Sequence, residues 1–195
     1  KMKKIIPKDA NLIPDSAKRV FKGKIFEVWQ WPQDMYDNSK ETFEMLKRPD
    51  TVVVLAIKDG KFIILRQSQP NLKNEFLDFP GGRADPGETP LESAKRELLE
   101  ETGMTFKNWR LLNVNQPMQK IEWFIYTYLA TDFENQVNTN HDAGEKIEIL
   151  AMSFDEIKNI DAELARFDQD IFNTHGSIED LIKAPEFQGR DIELA

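Results

Sequence analysis

The sequence predicts a mixed α/β (α+β) fold, in which a mixed β-sheet lies between helices as an α/β/α sandwich. Strand-like runs lie on both sides of one amphipathic helix near residues 90–102. A second observation is that, after the last predicted strand, the spacing of apolar residues changes from strand-like to helical at Ser153. With 195 residues, the chain is also long enough to bury one substantial core. We expect one such domain, preceded by an N-terminal strand appendage.

The strands are predicted from runs of alternating, β-branched or aromatic residues. Residues 19–32 roughly alternate apolar with polar side chains and predict one or two strands. The turn at Asp59-Gly60 predicts a hairpin between the two strands that flank it. The remaining predicted strands cover residues 41–46, 51–57, 62–65, 76–79, 109–114, 121–130 and 147–152.

The helices are predicted from their capping residues. The central helix begins with Thr89 as N-cap and Pro90 at its first position, and Gly103 ends it. Its buried stripe consists of Leu91, Ala94 and Leu98. Near the C-terminus, Ser153 opens a helix that carries Ile157, Ile160 and Leu164, and Ser177 opens a shorter one.

A segment of 23 residues from Gly82 to Met104 carries most of the functional information. It contains a glycine, five residues, Glu88, seven residues, and then Arg-Glu-Leu-Leu-Glu-Glu-Thr-Gly-Met at 96–104. In a helix, Glu97, Glu100 and Glu101 share one face, where like charges repel unless cations lie between them. Hard divalent ions with oxygen ligands would remove that repulsion. On composition alone, a solvated acidic face is the simpler interpretation.

This spacing is that of the Nudix box, and the chain resembles the Nudix hydrolases. The resemblance implies metal-dependent cleavage of a nucleoside diphosphate linked to a group X, with Mg²⁺ or in its place Mn²⁺. It implies that the metal ligands are Glu97, Glu100 and Glu101, together with the main chain of Gly82. It also implies that Arg96 orients a metal-binding glutamate. The catalytic base is left open between Glu145, in a polar loop, and a box glutamate such as Glu100.

The residues around the box resemble the ADP-ribose and nucleotide-sugar pyrophosphatase branch. Arg66 lies beside the box loop and suits a phosphate clamp, although a strand-end surface cation is an equal alternative. Asp78 is a candidate substrate contact, and Pro117 falls near a proline that accompanies ADP-ribose specificity in that branch. Gln69 replaces the second arginine of the branch's Arg-Gln-Tyr-Arg motif. GDP-mannose, UDP-sugars, dinucleoside polyphosphates and nucleoside triphosphates therefore stay open as substrates.

The composition restricts the partners and the compartment. A formal net charge of −8 argues against nonspecific nucleic-acid binding, which requires a basic surface. No apolar run approaches the length that spans a bilayer, so we expect no membrane partner. The absence of cysteine excludes disulfides and thiolate chemistry. We expect a cytoplasmic protein whose partner is a small nucleotide.

The aromatic residues near the N-terminus predict a homodimer. Phe21, Phe26, Trp29 and Trp31 carry more apolar surface than an isolated hairpin can readily bury. We expect residues 1–47 to be a dimerisation element and residues 48–195 to be the hydrolase domain. Packing of these aromatics on the protein's own core is the alternative for the appendage. For the function, the alternative is a noncatalytic nucleotide-sensing module, although all the charged box positions are intact.

Overall fold

A computed structural model describes residues 3–70, 72–139 and 146–193 and confirms the mixed α/β class. The strands are β1 (Lys3–Ile6), β2 (Lys18–Lys22), β3 (Glu27–Asp34), β4 (Lys40–Lys47), β5 (Thr51–Lys58), β6 (Lys61–Ser68), β7 (Phe76–Asp78), β8 (Gly81–Arg83), β9 (Met104–Asn115), β10 (Ile121–Glu122), β11 (Ile125–Gln136), β12 (Lys146–Met152) and β13 (Arg190–Glu193). The helices are α1 (Pro90–Thr102), α2 (Phe154–Lys158), α3 (Asp170–Thr174) and α4 (Ile178–Lys183). None of the helices in these described ranges has both the length and the apolar character needed to cross a bilayer.

The main sheet runs in the order β12-β6-β5-β11-β9 and forks at β5. At its C-terminal end, β5 pairs with β6 through Ile57 and Lys58. At its N-terminal end, Thr51–Val53 pair instead with β8, while β7 pairs with the far end of β6. The two branches separate beyond the hairpin. A cleft therefore opens between β8 on one side and β6 with β7 on the other.

Both faces of this sheet are buried, because alternate residues of β5 enter different cores. Val52, Val54 and Ala56 pack on the side of α1, together with Ala94 and Leu98. Leu55 and Ile57 pack on the other side, where the C-terminal helices contribute Phe172 and Leu181. Helices therefore cover the sheet on both faces, as the predicted sandwich requires.

The N-terminal strands are connected to the rest of the chain by pairing. β2, β3 and β4 form a separate sheet, which β10 joins by pairing in parallel with β4. β1 pairs with β13, and Ile6 is completely buried in the main core. The predicted boundary at residue 47 falls between β4 and β5. The division of the chain at that point remains a prediction.

Two predicted elements were wrong in extent. Residues 121–130 do not form one strand, because the chain leaves β10 at Trp123 and re-enters the main sheet only at β11. Asp50 fixes this break, since its side chain accepts a hydrogen bond of 3.0 Å from the Phe124 amide. The helix after Ser153 ends at Lys158 instead of reaching Leu164. The Leu164 carbonyl accepts a hydrogen bond from Leu77, which attaches this segment to β7.

Candidate active site

The helix α1 is held in register at both ends. Thr89 and Glu92 form a reciprocal capping box, in which the Thr89 amide donates to Glu92 at 2.7 Å and the Glu92 amide donates to Thr89 at 3.3 Å. Gly103 ends the helix with φ of 69°, a left-handed conformation that glycine adopts without strain. Fixed ends determine which way the side chains between them point. Of the charged residues of α1, Glu97, Glu100 and Glu101 lie at the fork of the sheet.

A cavity of about 860 Å³ occupies that fork. Glu97, Glu100 and Glu101 of α1 line it beside Gly82. The wall also contains one further carboxylate, three arginines and two amides, which are Asp78, Arg48, Arg83, Arg166, Gln67 and Gln69. The structure thus brings together five sequence-predicted site residues, namely Asp78, Gly82, Glu97, Glu100 and Glu101. Carboxylates next to arginines suit a polyanion that arrives with divalent cations.

Arg96 connects the carboxylates of the box. Its guanidinium donates to Glu88 at 3.0 Å, to Glu97 at 2.9 Å and to Glu100 at 3.2 Å. It also donates to the Arg83 carbonyl at the end of β8, at 3.1 Å. One rigid guanidinium therefore fixes the end of β8 and two cavity carboxylates at the same time. These contacts agree with the orienting role that the resemblance implies for Arg96.

The carboxylates around Arg96 have different proton affinities. Hydrogen bonds from Arg96, followed by one from Ser93, hold the pKa of Glu88 below its ordinary value. Burial raises the pKa of Glu97, although Arg96 opposes the shift. Only 15% of the Glu97 side chain is exposed, against 59% for Glu100. Glu97 is therefore an enclosed carboxylate, while Glu100 faces the open part of the cavity.

The two glycines of β8, Gly81 and Gly82, lie directly against side chains of α1. The Gly81 amide donates to the Glu101 carboxylate at 2.8 Å. At Gly82 a Cβ atom would lie 2.5 Å from the Glu97 carboxyl carbon, so no larger residue fits without a shift. Backbone and carboxylates are thus in direct contact at the place where the resemblance puts the metal.

The donor set at this place fits a hard divalent cation. Three carboxylates from one helix and the main chain of Gly82 offer oxygen ligands, which such ions prefer. Within the described residues, no three acidic or histidine side chains already converge as a metal site. Arg96 donates hydrogen bonds to Glu97 and Glu100, and the Gly81 amide donates one to Glu101. Each of these hydrogen bonds uses one oxygen of its carboxylate, and a carboxylate has about four lone-pair sites, so the contacts can position the ligands while a cation binds.

Asp78 and Arg166 form the opposite wall of the cavity. Burial raises the pKa of Asp78 to about 6, while the Phe79 amide and the nearby Arg166 oppose the shift. Arg166 lies over the Phe76 ring at 4.5 Å. Its position follows from the segment attached to β7, because the Arg166 amide donates to the Leu77 carbonyl at 2.9 Å.

Three predicted site residues lie elsewhere. Arg66 forms an exposed ion pair of 2.6 Å with Glu148 and is not among the residues that line the cavity. Pro117 is exposed in the loop between β9 and β10 and does not line it either. Glu145 lies outside the described residues. Substrate contacts by Arg66 and Pro117, and catalysis by Glu145, remain predictions.

The cavity arginines are site residues that the sequence did not indicate. The sequence could have indicated Arg83 as a site residue, because Arg83 directly follows Gly82 of the box. Arg166 follows the helix that the sequence predicted through Leu164, and a helix there gives no reason to place Arg166 beside β7. Arg48 lies over the Trp123 ring at 4.3 Å. Its pKa is lowered, first by burial and then by the charge of Arg83.

Fold and site together define a small α/β protein in which two adjacent glycines and a glutamate-rich helix line a cavity that arginines also line. The Nudix domain matches residues 46–172, which is more than half of the chain. The chain therefore belongs to the Nudix family. Divalent metal ions are the cofactors that enzymes of this family generally use.

Relatives and solved structures agree with this assignment. The chain is 34% identical over 93 residues to an ADP-ribose pyrophosphatase of Bacillus subtilis (strain 168), covering 47% of this chain and 50% of that protein. It thus spans about half the length of that relative. It is 24% identical over 144 residues to a methanol dehydrogenase activator of Bacillus methanolicus, covering 72% and 77%.

A solved structure shows the same fold. The crystal structure of an ADP compounds hydrolase superimposes with a TM-score of 0.59 at 20% identity, covering 79% of this chain and 83% of the other. The resemblance to Nudix hydrolases of the ADP-ribose branch is confirmed.

Proposed function

We propose that this protein is a Mg²⁺-dependent hydrolase that cleaves the pyrophosphate bond of a nucleoside diphosphate linked to X. The proposed substrate is ADP-ribose or another nucleotide sugar, and the products are a nucleoside monophosphate and a sugar phosphate. One observation carries the proposal: three of the four box glutamates, both glycines of β8 and three arginines line one cavity. A diphosphate requires both kinds of group, cation ligands for its bridging region and arginines for its outer oxygens.

The metal would be held by Glu97, Glu100 and Glu101, with the main chain of Gly82 as a further oxygen ligand. Bound there, Mg²⁺ or Mn²⁺ would offset the charge of the diphosphate and make a coordinated water more acidic. The chain itself contributes the positions of these ligands. Arg96 fixes the Glu97 and Glu100 carboxylates, and Gly81 fixes Glu101.

The reaction in this proposal is an in-line attack of water on one phosphorus of the anhydride. The new oxygen–phosphorus bond replaces the bridging bond, and the other phosphate leaves with its sugar. A carboxylate within hydrogen-bonding reach must accept the proton of the water. Glu145 and Glu100 are the proposed bases. Exposure of the Glu100 side chain to the cavity supports its candidacy.

The choice of a nucleotide sugar rests on similarity and on the site. An ADP-ribose pyrophosphatase is among the relatives, but the match covers half of that protein. The end of the cavity that Gln67 and Gln69 line offers hydrogen-bond donors and acceptors to a hydroxylated group X. Together these observations favour a sugar at that end over a third phosphate.

A product-resolved screen tests the proposal. The purified protein is incubated with Mg²⁺ or Mn²⁺ and ADP-ribose, GDP-mannose, UDP-sugars, dinucleoside polyphosphates and nucleoside triphosphates, and the products are separated by chromatography. We expect metal-dependent release of AMP from ADP-ribose or a related sugar. If only nucleoside triphosphates are cleaved, they replace nucleotide sugars as the substrate class. If no compound is cleaved while nucleotides bind, the protein is a sensing module.

We also propose a cytoplasmic homodimer without a nucleic-acid or membrane partner. Support for the dimer comes from exposed apolar side chains on the N-terminal sheet and its turn, with Phe21 58% and Val20 54% exposed. Ile25 and Phe26 extend this surface. A second copy would bury it. The formal charge of −8 supports a small-molecule partner over a nucleic acid.

A further inference from the structure

A second cavity of about 280 Å³ lies against the catalytic cavity. Both cavities are lined by Thr51, Val53, Asp78, Phe79 and Arg166. Two cavities that share a wall can hold two parts of one extended molecule. The smaller one is below the usual size of a complete ligand site, and it therefore suits one ring system and not a whole nucleotide.

The smaller cavity has a floor and walls suited to a flat ring. Its floor is the face of β5 and β11 that carries Leu55 and Ile125, and aromatic rings stand around it. Trp123 is held in place by a hydrogen bond of 2.8 Å from its indole nitrogen to the Thr51 hydroxyl. Phe167 packs edge-on against Phe79, with their ring centroids 4.8 Å apart. Rigid aromatic walls favour a planar, apolar-faced ligand over a sugar, which presents hydroxyl groups on all sides.

Two asparagines of β9 supply the amide groups of this cavity, and its other polar lining residues are Thr51, Asp78, Thr127, Arg166 and Asp168. In the main sheet, Asn113 lies opposite Thr127 and Asn115 lies opposite Ile125, and all four line the cavity. Within the described part of the chain, neither asparagine side chain forms a hydrogen bond. Half-buried amides without partners cost stability, unless water or a ligand satisfies them.

An asparagine amide presents a donor and an acceptor side by side. That pattern complements the edge of a nucleobase, and adenine is its usual partner, through its exocyclic amine and a ring nitrogen. A neighbouring pair of such amides therefore points to a base more than to a phosphate. No lysine or arginine except Arg166, at the shared wall, is among the described residues that line this cavity.

We propose that the smaller cavity binds the nucleobase of the substrate, with Asn113 and Asn115 hydrogen-bonded to the edge of the base. This inference rests on the proposed function, because it assumes a nucleotide substrate. It leaves the larger cavity to the diphosphate and the group X, and Arg166 then lies at the junction of base and diphosphate. Asn113 and Asn115 become specificity-determining residues that neither the box nor its flanks indicate.

The test separates binding of the base from turnover. Adenosine and ribose 5-phosphate are titrated separately into the 195-residue protein without metal, and heat and tryptophan fluorescence are recorded. Asn113→Asp and Asn115→Asp replace the amide donor by an oxygen at nearly constant shape. We expect each to weaken adenosine binding at least tenfold and to leave the affinity for ribose 5-phosphate unchanged. Asn135→Asp, an exposed residue of β11 outside the cavity, is the matched control.

The possible results distinguish this inference from the proposed function. Unchanged adenosine binding in both variants overturns the inference, and so does failure of the wild-type protein to bind adenosine. If the variants weaken only the binding of ribose 5-phosphate, the cavity binds a sugar, and the inference is overturned as well. If the variants lose affinity for adenosine but the protein cleaves no nucleotide sugar, the assignment of the base pocket is supported and the hydrolase proposal fails. Melting temperatures of all variants verify that the fold is intact.

Discussion

The Glu97 carboxylate lies directly against Gly82. A Cβ atom on Gly82 would come within 2.5 Å of both the carboxyl carbon and Oε1 of Glu97. The two residues are fifteen positions apart in sequence, and they meet because β8 pairs with β5 while α1 packs beside it. The box therefore requires glycine at position 82 for a steric reason, since any side chain there displaces a cavity carboxylate.

Gly82→Ala should therefore reduce catalysis more than stability. The added methyl group must push the Glu97 side chain away, and misplacement of a catalytic group by about 1 Å can cost about 100-fold in rate. We expect a loss of that order in kcat/KM, with weakened metal dependence. Steady-state kinetics over a Mg²⁺ titration would measure it. Gly176→Ala, at a glycine that lines neither cavity, is the control, and equal activity of both variants would contradict the steric argument.

Glu100→Gln should abolish most of the activity while the fold persists. The amide is a poorer ligand and cannot accept the proton of the attacking water, so we expect a loss of about 10²- to 10⁴-fold in kcat. The melting temperature should hold or rise, because one of three neighbouring negative charges disappears. Glu134→Gln, at an exposed position of β11, serves as control. Activity within tenfold of wild type would remove Glu100 from the list of ligands and bases.

The sequence contained the catalytic half of the site but not the binding half. The spacing of Glu97, Glu100 and Glu101 is local to one helix, so the period of the helix determines their common face. Arg166 and the asparagines Asn113 and Asn115 reach the site only through long-range strand pairing. No local pattern marks such pairing.

The same distinction explains the errors in the fold. Asp59-Gly60 predicted its hairpin because both residues adopt positive φ, 52° and 71°, as that tight turn requires. The strand predicted at 121–130 was wrong, because the break at Trp123 is set by the distant Asp50 side chain. Likewise, the apolar spacing to Leu164 is helical, but the backbone pairs with β7 instead. Tertiary hydrogen bonds outweighed local preference at both places.

Asp78 gives the protein a pH-dependent stability. Burial raises its pKa from 3.8 to about 6, so the folded protein holds this proton more tightly than the unfolded chain does. The stability that protonation contributes is complete below pH 3.8 and is lost as the pH rises through about 6. Asp78→Asn should therefore be more stable than wild type at pH 7.5, by at most about 3 kcal/mol, and show no gain at pH 3.8.

Urea unfolding of both proteins at pH 3.8, 5, 6 and 7.5 would measure this dependence. Asp168→Asn is a suitable control, because Asp168 lines the neighbouring smaller cavity but is exposed. A stability difference between wild type and Asp78→Asn that is constant over this range would contradict the raised pKa.

The proposed homodimer is best tested by point substitutions on the N-terminal sheet. Deleting residues 1–47 would also remove Ile6 from the main core and β4 from its pairing with β10, so loss of activity would be uninformative. Val20 and Phe21 are more than half exposed on β2. Val20→Lys combined with Phe21→Lys should produce a monomer with an unchanged fold, because lysines on an apolar interface must be desolvated.

Light scattering at micromolar concentration should give twice the 22.7 kDa of one chain for the wild type and that single mass for the double variant. Tyr36→Lys is the matched control, because Tyr36 is fully exposed in the turn between β3 and β4. If β2 to β4 contribute to the neighbour's substrate site, the monomer should also lose affinity for the nucleotide while Glu97 and its partners stay in place. A wild-type protein that is monomeric at every concentration would refute the dimer and leave the chemistry of the box unaffected.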